Sequence, residues 1–214
     1  MIEKELYPAT QRMPEAGIRY QVTEKLDGSN LAFIKKEGKL YVAVRKAILT
    51  LDEINDPKFK KFPYKGLQAW LNEHGKDLEE RIYEGSVVNG EWIGMGSIKY
   101  RGTLKHRFHM FAKSRITEDW KLEKVIYDHT LLHYVFNDGI IPEYIGIVPL
   151  AGYLSSPNKE VMDEFYDDYA PKQDHPVEGF VLSDNNNHIM KYLRYKNGKP
   201  VAYSENDHKG KTDE

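Results

Sequence analysis

Lys25, within Glu24-Lys25-Leu26-Asp27-Gly28-Ser29-Asn30, is the residue whose setting most suggests chemistry. An exposed lysine titrates at about 10.4, so its amine is protonated and inert near neutral pH. Nearby cations or a bound metal ion favour the neutral amine, which can attack phosphorus. Asp27-Gly28 makes a tight turn, so Lys25 should fall at a strand end with its amine directed into a cleft. Four further segments follow in order: Gly90-Glu91-Trp92, Phe108-His109-Met110-Phe111, Glu178-Gly179-Phe180-Val181 and Met190-Lys191-Tyr192-Leu193-Arg194. A lysine amine, an aromatic plate, separated carboxylates and a second cationic cluster are the parts needed to capture a nucleotide covalently.

Strand alternation sorts these residues by face. Gln21, Thr23 and Lys25 share one side, with Tyr20 and Val22 on the other. Arg45 ends the run from Tyr41 and falls on the Tyr41/Ala43 side, opposite Val42 and Val44. The carboxylate of Glu91 suits a ribose hydroxyl. Alternation across His106–Arg115 gives His106, Phe108, Met110 and Ala112 as a core face. The opposite face is then Arg107, His109, Phe111, Lys113 and Arg115. A phenylalanine among such neighbours calls for a flat partner, and an adenine would serve.

The order and spacing of these segments resemble the covalent nucleotidyltransferase superfamily, which includes ATP-dependent RNA ligases, DNA ligases and mRNA capping enzymes. Lys-x-Asp-Gly-x-Asn is similar to motif I. The asparagine at its sixth position, with glutamate before the lysine, is more similar to RNA ligases of the T4 RNA ligase 2 type than to DNA ligases or capping enzymes. The resemblance implies that Lys25 attacks the α-phosphate of ATP, releases pyrophosphate and becomes a lysyl-AMP phosphoramidate. It also implies that Glu24, Asn30 and Leu26 (the last through its backbone) contact the nucleotide. Arg45 would assist at the phosphates, Glu91 would hold the ribose and Phe111 would stack on the base. The family usually has aspartate after the stacking aromatic; here it is Ala112, which leaves Phe108 as the other register. Glu178 would bind the divalent ion, Mg2+ or Mn2+, while Gly179 lets the strand approach the ligand. Lys191 would contact the α-phosphate. A second lysine usually follows two residues later, but position 193 is leucine. Either a bulge or the strand end re-aims Arg194 toward the phosphates, or Lys191 works with Arg45 alone.

The elements needed to position these groups follow from the pattern. Ile18–Glu24, Leu31–Lys36 and Leu40–Arg45 read as strands, with Glu37-Gly38-Lys39 as a turn. Leu67, Trp70, Leu71, Leu78 and Ile82 predict an amphipathic helix over Tyr64–Tyr83, weakened at Gly75. Strands are expected at Ser86–Trp92, His106–Ile116, Val177–Ser183 and His188–Tyr195. Helices are expected at Leu122–Phe136 and Asn158–Tyr169, the latter starting at Ser156 with Pro157 in its first turn. With no regular strand-helix alternation, the fold class is α+β, with mostly antiparallel sheets flanked by helices. The resemblance makes this a nucleotidyltransferase, ATP-grasp-like domain.

The 214 residues, 40% of them hydrophobic, suffice for one substantial core, and the chain reads as a single domain over 1–214. The motif-bearing part spans about 18–196, and 205–214 form a polar tail. The residues after Met190–Arg194 are too few for the C-terminal domain usual in the family, so sealing is expected to need an accessory protein in its place or a short tolerant substrate. No cysteine is present, which excludes disulfides and thiolate chemistry. No apolar run reaches a membrane span and no signal peptide opens the chain, so a cytoplasmic address is expected. The net charge of −2 does not suit a clamp on a long duplex. Nucleic-acid contacts would be local, through Lys58-Phe59-Lys60-Lys61 and Lys99-Tyr100-Arg101. The expected activity is ATP-dependent RNA ligation on RNA ends or a nicked duplex. The alternatives are a DNA ligase, a GTP-dependent capping-type enzyme, a non-catalytic nucleotide- or RNA-binding module and a structural protein.

Overall fold

A computed structural model of the chain describes residues 17–44, 47–55, 64–94, 96, 98–100, 104–184, 186, 188–196 and 199–200. Arg45, the Lys58–Lys61 cluster, Arg101 and the 205–214 tail lie outside the described residues. In chain order the first strands are β1 (Arg19–Glu24), β2 (Gly28–Lys36), β3 (Lys39–Val44), β4 (Ala47–Thr50) and β5 (Ser86–Ile93). They are followed by β6 (Phe108–Arg115), β7 (Ile145–Ile147), β8 (Leu150–Ser155), β9 (Gly179–Ser183) and β10 (Ile189–Leu193). The α-helices are α1 (Leu51–Asn55), α2 (Leu67–Arg81) and α3 (Lys159–Tyr169). A short ribbon pairs Tyr195–Lys196 with Lys199–Pro200. Among the described residues no helix is long and apolar enough to cross a membrane.

The chain divides into two units. The first, formed by Gly28–Gly96 and His106–Ile147, is built on a six-stranded sheet in the order β4-β3-β2-β5-β6-β7. Every pairing in it is antiparallel except β6 with β7. One sheet face (Leu31, Phe33, Val42, Val88, Trp92, Phe108, Met110) packs on Leu67, Trp70, Leu71 and Leu78 of α2. Those α2 positions are the helical spacing seen in the sequence. Phe33 stacks on Trp70 with centroids 5.3 Å apart and meets Phe108 edge-on at 4.8 Å. The turn at Glu37-Gly38 is as expected, both residues taking positive φ (53° and 73°).

The second unit holds Lys25. It is built from the described residues of 17–27, 98–105 and 148–200, around a four-stranded antiparallel sheet in the order β10-β9-β1-β8. Tyr20, Val22, Phe180, Leu182, Met190 and Tyr192 form its inner face against Met162 and Tyr166 of α3. Asn158, not Ser156, caps α3, accepting from the amide of Val161 at 2.9 Å. Ser156 instead sits in a positive-φ turn (48°) ahead of Pro157.

Leu122–Phe136 does not form the expected helix. β7 covers only Phe108–Met110 along the outer edge of β6, so the rest of that edge still needs backbone partners. The 122–126 stretch supplies them, with Ile116 bridged to Leu122 and Lys113 exchanging amide bonds with Ile126 at 2.9 and 2.7 Å. Asp128 then accepts from the Thr130 amide and caps a 3-10 turn over His129–Val135. The α+β class and the dominance of antiparallel pairing are as the sequence led us to expect.

Candidate active site

Lys25 follows directly on β1, and its amide still donates to the carbonyl of Gly179 at 2.9 Å. The β1–β9–β10 register is uninterrupted here, so Thr23, Val181 and Lys191 form one row across the sheet. Lys25 therefore lies on the same face as Lys191, one row further along. The Lys25 side chain is about one-fifth exposed (22%), and its Nζ meets Oε2 of Glu178 at 2.5 Å. Glu178 is buried, and that burial raises its pKa despite the ion pair; Asp27 pushes the same way, while Lys25 and Lys191 oppose it. The sequence suggested cationic neighbours for Lys25, and the partner the fold supplies is this carboxylate.

Gly179 permits the approach. A Cβ there would lie 2.0 Å from the carbonyl oxygen of Tyr192 and 2.9 Å from Cα of Leu193, both backbone atoms that cannot give way. The glycine of the Glu-Gly pair is thus a packing requirement of β9 against β10.

The turn after Lys25 is tied down by two residues that the sequence did not single out for this role. Tyr100 places its hydroxyl 2.6 Å from the amide of Asp27, which donates to it. Asp27 Oδ2 accepts from the amide of Ile98 at 2.9 Å. The Tyr100 ring meets the imidazole of His175 edge-on at 5.2 Å. His175 Nε2 is 2.7 Å from Glu24 Oε1, and its Nδ1 is 2.8 Å from Asp174 Oδ1. The bond to Glu24 is the main reason the imidazole's pKa stands above its ordinary value; burial opposes it and Asp174 reinforces it. Tyr169 donates to the other Glu24 oxygen at 3.3 Å. In the sequence Tyr100 belongs to a basic cluster, but its hydroxyl meets the Asp27 amide and its ring meets His175. The only sequence trace of His175 is its place three residues before Glu178.

Glu24 and Arg194 are therefore occupied inside the protein. Glu24 is paired across β1–β9–β10 with Phe180 and Tyr192, on the α3 side of the sheet, and is 1% exposed. That turns its carboxylate to the opposite face from Lys25. Arg194 reaches Asp163 of α3 at 3.0 Å and Asp167 at 3.6 Å, with its guanidinium 5.7 Å over the ring of Tyr166. No bulge interrupts β9–β10, so of the two geometries open to Arg194 the fold takes the one facing α3. The Leu26 side chain is buried at 4% exposure, leaving its backbone as the part able to meet a ligand.

In the first unit, Asn30, Glu91 and His109 are direct neighbours across β2, β5 and β6. The Tyr64 hydroxyl donates to the carbonyl of Asn30 at 2.8 Å, and burial together with Glu91 pushes the Tyr64 pKa up to about 12. Gly28, paired with Ile93, could not carry a side chain: its Cβ would lie 2.4 Å from the Trp92 carbonyl oxygen and 2.8 Å from Cγ of Glu91. His109 is 1% exposed, with its pKa lowered to about 4 by burial and by His106, so it is a neutral imidazole.

The face assignment along β6 needs correction. Gly90 pairs with Met110 but Asn89 pairs with Ala112, so Phe111 is the extra residue of a β-bulge. Past the bulge the faces exchange. Lys113 now pairs with Val88 on the α2 side of the sheet, and Ser114, not Lys113, reaches Asn89 (3.0 Å). Phe111 therefore does not share a face with Lys113 and Arg115. Its ring lies parallel to that of Tyr127 (6°, centroids 6.2 Å apart), so the chain itself covers part of it. Phe108 is fully buried in the core, which removes it as the alternative stacking residue.

Comparison with known proteins bears on this arrangement. A family model described as RNA ligase matches residues 18–193. The chain is similar to a mutant Naegleria gruberi RNA ligase solved without ligand, with a TM-score of 0.55 and 18% identity, covering 88% of this chain and 56% of that one. A form of that ligase with AMP and Mn gives a TM-score of 0.55 at 17% identity, covering 88% and 56%. A form with pyrophosphate gives 0.52 at 18%, covering 87% and 55%. At such identity the likeness concerns the fold, and the chain spans a little over half the length of these relatives. No match was found among curated proteins.

Proposed function

The chain belongs to the RNA ligase family, and from that premise we propose that it is an ATP-dependent RNA ligase acting through a lysyl-AMP intermediate on Lys25. The observation that supports this most is the Lys25 amine held at a strand end against the buried Glu178 carboxylate at 2.5 Å, with Lys191 on the same sheet face. In this reading the N–P bond to Lys25 forms as the bond from the α-phosphorus to pyrophosphate breaks, and the amine gives up a proton. AMP then passes to an RNA 5′-phosphate, exchanging the N–P bond for a P–O bond. A 3′-hydroxyl displaces AMP and closes the strand.

Lys191 is the cation that would balance charge on the equatorial phosphate oxygens. Asn30 and Glu91 are the polar pair for the sugar, and Phe111 is the aromatic surface for the base. Glu178 is the group that would hold a divalent ion. Among the described residues no three His, Asp or Glu side chains form a metal cage. A single carboxylate suits magnesium or manganese, which keep waters and substrate phosphates as their other ligands. Such an ion would supply charge neutralisation at the α-phosphate. The motif I pattern supports the T4 RNA ligase 2 type as the finer assignment.

The test is incubation with labelled ATP or GTP and magnesium, followed by nicked RNA, DNA and hybrid duplexes. Labelling by ATP alone and sealing of RNA are the expected results. Labelling by GTP would make the protein a capping-type enzyme, and sealing confined to DNA would make it a DNA ligase. ATP binding without a covalent adduct would leave a non-catalytic module. Adduct formation without sealing by the chain alone would point to a required accessory protein.

A further inference from the structure

The first unit contains a cavity of about 410 Å3 that the nucleotide chemistry does not use, at the far end of β6 from Glu91. Lys113, Arg115 and Lys124 line it, together with Tyr83, Tyr134 and Glu123. The β6 bulge turns Lys113 and Arg115 to this side; in an unbroken strand they would share a face with Phe111.

Two properties mark the cavity as built for an anion with a flat face. Its cations outnumber its acids. Glu84, also in the lining, has both carboxylate oxygens engaged by the amides of Glu37 and Gly38 (2.5 and 3.1 Å), at the β2–β3 turn. Glu123 is the remaining acid against three cations, none of them ion-paired among the described residues. Burial lowers the pKa of Lys113. Its Nζ lies 5.4 Å from the centroid of the Tyr134 ring. The second property is aromatic surface. Tyr134 is 59% exposed and Tyr83 47%, which is unusual for side chains that bury so much area when they can.

Cations beside exposed aromatic rings are how proteins hold single-stranded nucleic acid, with phosphates on the cations and bases on the rings. A duplex hides its base faces and would leave the tyrosines without a role. We infer that this cavity is a docking site for a single-stranded RNA segment, with phosphates on Lys113 and Arg115 and a base on Tyr134. RNA as the occupant rests on the proposed ligase reading; the anion-plus-ring chemistry does not. The site would hold a substrate tail at a distance from the reacting ends.

The test is fluorescence anisotropy with a labelled single-stranded RNA oligomer at several salt concentrations. The variants are Lys113→Ala with Arg115→Ala, Tyr134→Ala, and Lys124→Glu. The double variant should bind at least about tenfold more weakly, and its slope of log affinity against log salt should shrink by about 1.4, roughly 0.7 for each phosphate contact. Tyr134→Ala should lose about fivefold or more with the slope unchanged, since stacking releases no counterions. Lys124→Glu, at the exposed rim, should weaken binding without threatening the fold. Lysyl-AMP formation should match the parent in all three. Wild-type affinity and slope in the double variant would overturn the inference. If the parent forms no lysyl-AMP yet the RNA effects appear, the ligase reading fails and the cavity assignment stands.

Discussion

Glu178 carries two demands at one carboxylate: it partners Lys25 in the free protein, and it is the group proposed to meet a metal ion. Both need the ionised form, while burial favours the protonated one. Adduct formation should therefore decline as pH falls, with a midpoint above the ordinary glutamate value. Glu178→Gln should cost about a hundredfold or more in rate and abolish that limb in a single-turnover pH profile. His175 has the opposite sign. Its pKa is raised above 6.5 because Glu24 and Asp174 hold the imidazolium. The stability it contributes is complete below the unfolded value and is lost as pH rises through the folded one. Melting temperature should fall over that interval in the parent, and His175→Ala should flatten the fall. Lys25 and Glu178 were legible in the sequence because the motif spacing survives as adjacency in one sheet. His175 and Tyr100 were not, since a histidine in a loop and a tyrosine in a basic cluster gain their roles only from the chain packed against them.

Individual elements were predicted well where periodicity is long and poorly where backbone pairing decides. Helix α2 and the β2–β3 hairpin came through because apolar stripes and a Glu-Gly turn specify them locally. The short strands β4, β7 and β8 left no clear signal, and Leu122–Phe136 lost its helix to the open edge of β6. The β6 bulge did leave a trace: Met110-Phe111-Ala112 is three apolar residues in a row, where an unbroken half-buried strand would alternate. Gly90, at the bulge, has no room for a side chain. A Cβ there would fall 2.4 Å from the Phe108 ring and 2.6 Å from the carbonyl oxygen of His109. Gly90→Ala should cost about 1–3 kcal/mol, read as a drop of about 2–4 °C in Tm per kcal/mol. It should also weaken ATP capture by displacing Phe111. Unchanged melting and unchanged capture would mean the bulge does not position that ring.

At the scale of the molecule, the chemistry-bearing residues are shared between two sheets. Lys25, the proposed nucleophile, Glu178 and Lys191 belong to the unit of the four-stranded sheet, and Asn30, Glu91 and Phe111 to the six-stranded unit. Lys25 and Asn30 flank the Asp27-Gly28 turn where the chain passes from one to the other, so motif I supplies residues to both. This is why five short motifs scattered over the sequence carried more information than any one of them. Covalent capture of AMP by one amine is the central proposed step. The direct measurement is intact-protein mass spectrometry after incubation with ATP and magnesium, with peptide mapping of the adduct. A mass gain of one adenylate located on Lys25, and absent from a folded Lys25→Ala variant, is the predicted result. No gain in the parent, or the same gain in the variant, would contradict it.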